Sequence, residues 1–121
     1  MTKKTSFVAA LVAAGAALLP LATPAIAGGP SPKKMMEMSA SCAYVVAIAE
    51  GNNVSLNYPS SDWLSVVQIL QDRTGLDGEK AIETAKAKYK KRARVMGADE
   101  AFQYMIKRAQ DCDREMAVIQ S

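Results

Sequence analysis

The side chains here that could carry chemistry are few. There are two cysteines, Cys42 and Cys112, a methionine group at Met35, Met36 and Met38, a basic run from Lys86 to Arg94, and the carboxylates Asp111, Asp113 and Glu115. Histidine is absent from the whole sequence, which removes the commonest general base, proton shuttle and zinc ligand. Serine–histidine and cysteine–histidine nucleophilic chemistry go with it. Glycine-rich dinucleotide and phosphate loops, a Cys-x-x-Cys-His haem attachment and an Asp-x-Asp-x-Asp-Gly calcium loop are also missing. What remains is carboxylate chemistry. At about 100° per residue, Asp111 and Glu115 share one helical edge and Asp113 points elsewhere, while Arg108 and Arg114 flank them. This pattern reads as a solvated charged face, and the expectation is a protein with no catalytic residue and no cofactor: not an enzyme.

The basic run is the strongest local charge feature. Lys86, Lys90, Lys91 and Arg94 cover one broad helical face, opposite an apolar stripe of Ile82, Ala85, Tyr89 and Met96; Lys88 and Arg92 border the core. Such a face suits an anionic envelope component, a phospholipid head group or lipopolysaccharide, or an acidic protein. The alternative is an ordinary solvated face of an amphipathic helix. Nucleic acid is not expected, because only Tyr89 interrupts the run as a stacking group. The methionines are the candidate metal ligands, since thioethers suit Cu(I). Met35 and Met38 share a face of the apolar stripe, so their competing role is filling a helical core; Met36 lies off the stripe and is the one left as a candidate ligand. No metal site is assigned on this pattern alone. Asn57-Tyr58-Pro59 with Trp63 could form a recognition surface, but a core position for Trp63 is the stronger expectation.

The elements that must position these residues begin with the N-terminus. A basic Met1-Thr2-Lys3-Lys4, an apolar run from Phe7 to Leu19 and a small-residue Ala25-Ile26-Ala27 follow the order of a cleaved signal peptide. The apolar run ends at Pro20, well short of the roughly 20 residues that a membrane-spanning helix needs. The expected organisation is a signal peptide over 1–27, an extended segment over 28–31 and one domain over 32–121. No further run approaches membrane length, so no transmembrane segment is expected in the mature chain, which would be periplasmic or secreted. Without Lys3 and Lys4 the chain carries 13 basic against 12 acidic residues, so no global charge points to a partner. A domain this small buries only about 60–65% of its unfolded surface. Two cysteines in an oxidising compartment are expected to pair, and closing a loop of about 70 residues stabilises by roughly 4 kcal/mol.

Four segments have helical periodicity. Ser31-Pro32 starts a helix over 32–50 that ends at Gly51-Asn52-Asn53. Ser60 or Ser61 caps the next, over 61–74, which stops at Gly75. Asp77 caps a helix over 77–96, and Asp99 and Glu100 open the last, over 99–119. The class is all-α: a small four-helix up-down bundle or a less regular helical array, stapled by one disulfide.

The stripes fix a register. Met35, Met38, Cys42, Val45 and Ala49 recur at steps of 3 and 4, as do Phe102, Met105, Ala109, Cys112, Met116 and Ile119. Antiparallel helices bridged at Cys42–Cys112 would set Met35 by Ile119, Met38 by Met116, Val45 by Ala109 and Ala49 by Met105. The functional expectation is a non-enzymatic exported protein, a binding, interaction or envelope-stress factor. The alternative is a small carrier of Cu(I) or of an apolar ligand.

Overall fold

Where each helix starts and stops follows from how its orphan backbone groups are satisfied. The computed structural model describes residues 29–121, so the signal-peptide reading of 1–27 lies outside the described residues. Four helices occur among them: α1 (Pro32–Gly51), α2 (Ser60–Thr74), α3 (Gly78–Met96) and α4 (Ala98–Ile119). Beyond α1 the chain turns at Asn53, whose φ of 64° is left-handed, while the Asn52 side chain donates to the Ile48 carbonyl at 2.8 Å. Gly75 closes α2 at φ 77° and donates its N–H to Gln71 O, a conformation that costs glycine nothing. Asp77 accepts the Lys80 N–H at 3.0 Å and so caps α3.

The start of α2 differs from the sequence expectation. Ser60 is already helical, and the flanking Pro59 makes no side-chain cap. The capping acceptor comes from α1 instead: Glu50 takes the Ser60 N–H at 3.0 Å and the Ser60 hydroxyl at 2.7 Å. A carboxylate at a helix N-terminus meets free N–H groups and the positive end of the dipole, and a residue ten positions upstream can supply it once the loop folds back.

Helix α1 packs against each of the other three, while α2 and α4 touch each other least. The reason lies in its sequence. Besides the stripe residues Cys42, Val45 and Ala49, α1 buries Met36, Ala40, Ala43 and Val46. A helix apolar on most sides is stable only when surrounded. Its burial divides into two clusters. The larger joins Cys42, Val45, Val46 and Ala49 to Trp63, Tyr89, Ala109, Cys112 and Met116, with Met38 and Met105 packed against it. The smaller joins Met36 and Ala40 to Val67, with Leu70, Leu76 and Ile82 beside them. Trp63 is fully buried, as its core reading anticipated, and α2 spans both clusters through Trp63 and Val67.

The Cys42–Cys112 disulfide is formed, with Cα atoms 5.7 Å apart. Every inner pair of the expected register falls in the cluster that surrounds it. The outermost pair does not: Met35 is half-buried and Ile119 is 45% exposed, because the stripe runs past the end of the packed region. Chain directions follow from contacts. The single residue Gly97 separates α3 from α4, and Arg92 reaches back over Tyr104, so those two helices are antiparallel. Met36 lies by Gly78, and Ser41 and Tyr44 lie by Tyr89, so α1 and α3 run the same way.

Gly78, at the start of α3, lies tightly against α2. A Cβ there would stand 2.5 Å from Val67 Cγ1 and 3.1 Å from Gln71 Oε1, and its own N–H already donates to that oxygen at 2.8 Å. Since valine has little rotamer freedom in a helix, Gly78→Ala is expected to cost about 1–3 kcal/mol in urea unfolding, with Val67→Ala restoring part of the loss in the double variant. Replacing both cysteines by alanine should lower stability by about 4 kcal/mol; an unchanged urea midpoint would show that the bridge contributes nothing.

Candidate functional site

The basic run from Lys86 to Arg94 lies wholly on α3. Lys90, Lys91 and Arg94 are exposed, and together they form a cationic patch on a helix whose opposite side is anchored by Ala85 and Tyr89. Lys86 contributes less. It is half-buried, and its ammonium lies 3.8 Å from Glu83. Arg92 turns away from the patch. Its guanidinium carbon stacks 5.3 Å from the Tyr89 ring centroid and 4.2 Å from that of Tyr104, which ties α3 to α4 by cation–π attraction.

The carboxylates of α4 are shared out among separate partners. Glu115 forms a two-pronged pair with Arg108, at 2.7 and 3.4 Å, and this hydrogen bond holds the Arg108 guanidinium more firmly charged than usual, against the opposing effect of its partial burial. Asp111 pairs with Arg114. Asp113 has a role the sequence did not signal. It is half-buried and accepts the Asn57 N–H at 3.1 and 2.9 Å and the Tyr58 N–H at 2.9 Å. One carboxylate thus latches the α1–α2 loop to α4, one residue from the disulfide. Side chains of the same loop, Val54, Leu56 and Tyr58, pack on the larger cluster.

The methionines do not stand together as a set. Met36, which fell off the expected stripe, is 3% exposed and packs with Ala40 and Val67, whereas Met38 packs on the other cluster and Met35 is half-buried. Met36 lies outside the stripe because α1 presents a second apolar side to α2 and α3.

Between α1 and α3, closed at one end by the α2–α3 turn, runs a groove of about 580 Å³, within the usual range for small-molecule sites of roughly 300–1,000 Å³. Met36, Leu76, Ala81 and Ala85 form its apolar floor and are buried or half-buried; Lys33, Lys80 and Lys88 stand exposed on its rim, with Glu37 and Asp77. Ser41 and Thr84 add hydroxyls to the walls. No single stretch of sequence announces this site. Its α1 edge comes from steps of four, Lys33, Glu37 and Ser41, and its α3 edge from Lys80, Thr84 and Lys88 at the same step, two helix faces that only packing brings side by side.

The fold and this geometry define a small, disulfide-closed helical protein with one cationic outer face and one apolar-floored groove. Comparison with protein families, with characterised proteins and with solved structures finds no match.

The Asp113 latch generates a direct expectation. Asp113→Ala removes the acceptor of two loop N–H groups and should cost about 1–3 kcal/mol. Hydrogen exchange at Asn57 and Tyr58 should accelerate more than exchange in α3. Exchange that rises equally everywhere would assign Asp113 a diffuse electrostatic role instead.

Proposed function

We propose that the protein is a non-enzymatic, exported binding protein of the periplasm or extracellular space, an interaction or envelope-stress factor whose α3 face holds an anionic envelope surface. The observation that carries this reading is the exposed set Lys90, Lys91 and Arg94 on a helix that is fixed from behind by Tyr89 and by the Arg92 stack. A cationic patch on a rigid support attracts anionic head groups at about 1 kcal/mol per basic residue. The disulfide fits an oxidising compartment, and no helix among the described residues is long and apolar enough to cross a membrane, so contact with a membrane would be made from its surface.

A second reading, carriage of a small apolar ligand, is favoured by the groove between α1 and α3. The division of Met36 and Met38 between two apolar clusters favours core packing over Cu(I) for the thioethers.

Co-sedimentation with phosphatidylglycerol-containing vesicles tests the first reading. Binding should weaken steeply with added salt, and the triple variant Lys90→Glu, Lys91→Glu, Arg94→Glu should lose about 100-fold or more in affinity. Equal binding by wild type and triple variant, or equal binding to neutral vesicles, would overturn the assignment.

A further inference from the structure

The groove differs from the α3 patch in shape as well as in composition. Its floor residues Met36 and Ala85 are buried while its rim lysines are exposed, so its apolar surface is recessed below a charged edge. A flat bilayer surface cannot reach such a floor. A single chain can. The groove is also elongated: Lys33 to Ser41 spans eight residues of α1, about 12 Å at 1.5 Å per residue, and α3 runs alongside in the same direction. An extended ligand fits that shape better than a compact one. Methionine and alanine on the floor leave a smooth, adaptable surface for a flexible hydrocarbon.

Charge fixes the orientation. At the end nearer the α2–α3 turn, Lys80 follows Asp77 by three residues, and Lys33 precedes Glu37 by one helical turn, so each of these lysines has a carboxylate within one turn of its own helix. At the far end Lys88 lines the groove with the hydroxyls of Thr84 and Ser41, and no acidic residue lies within one turn of Lys88 on α3. From the recessed floor and this uncompensated cation we infer that the groove binds one monomeric single-chain amphiphile with a carboxylate head, its chain over Met36 and Ala81 and its head at Lys88. The inference rests on the ligand-carrier reading and is independent of the α3 patch, since Lys90, Lys91 and Arg94 do not line the groove.

The test is calorimetric titration of the oxidised protein with decanoate, decanol and acetate, paired with NMR of the Met36 methyl group and the Trp63 indole N–H. Decanoate should bind 1:1 and shift the Met36 methyl while leaving Trp63, which belongs to the other cluster, in place; a moving Trp63 signal would report loss of packing and overturn site-specific binding. Lys88→Gln should weaken decanoate about tenfold, the size of one charge-assisted contact, and Lys90→Gln should leave it unchanged. Decanol should bind about tenfold more weakly than decanoate, and acetate not measurably. Decanol binding as tightly as decanoate, with Lys88→Gln silent, would overturn the anionic head while leaving apolar carriage standing. No shift at Met36 with any of the three would overturn the carrier reading as well.

Discussion

The structure depends on the burial of α1. A twenty-residue helix that is apolar on most of its circumference must be covered on several sides, and three helices of 15, 19 and 22 residues cover it. Each is held to α1 by a different kind of contact. The disulfide ties α4 to it covalently at Cys112. The Glu50 carboxylate holds the first turn of α2, and the stack of Tyr44 on Tyr89, ring centroids 5.9 Å apart, joins α3 to its other side. Small residues in α1, Ser39, Ala40, Ala43 and Ala49, permit these approaches, and Gly78 does the same where α3 meets α2.

Charge is divided between holding and display. Several acidic side chains hold parts of the fold together: Glu50 caps α2, Asp77 caps α3, Asp113 holds a loop and Glu115 clamps Arg108. Carboxylates are suited to this because orphan N–H groups at helix starts and in loops need acceptors. Among the cations of α3, Arg92 stacks on Tyr89 and Tyr104 and Lys86 lies by Glu83; the others have no equivalent internal demand, since backbone carbonyls inside a helix are already paired. They line its outer side and the groove rim. Residues 29–121, with 13 basic against 12 acidic side chains, therefore present a locally cationic helix, and the two proposed contact regions lie on different edges of that one element.

The loop between α1 and α2 shows how the parts depend on one another. Its backbone is held by Asp113, its side chains lie on the larger cluster, and its end enters a helix capped by α1. None of these contacts is local in sequence. The Asp113 contacts exist only because α4 has been brought against α1, with the cysteines in register.

What the sequence alone determined was everything set by short spacing: the all-helical class, four helices bounded within a residue or two, the turn residues Asn53, Gly75 and Asp77, the cysteine pair and the inner register around it. Those features depend on steps of 3 and 4 and on conformational preferences carried by single residues, which a linear reading contains. Tertiary structure decided the second apolar side of α1 with Met36 in it, the capping of α2 by Glu50, the latch at Asp113 and the groove. In each of these, one partner is a backbone group or a face of a distant helix, and backbone donors carry no residue signature. Periodicity identifies which residues turn inward along one helix, but only packing selects which of two apolar sides meets which neighbour.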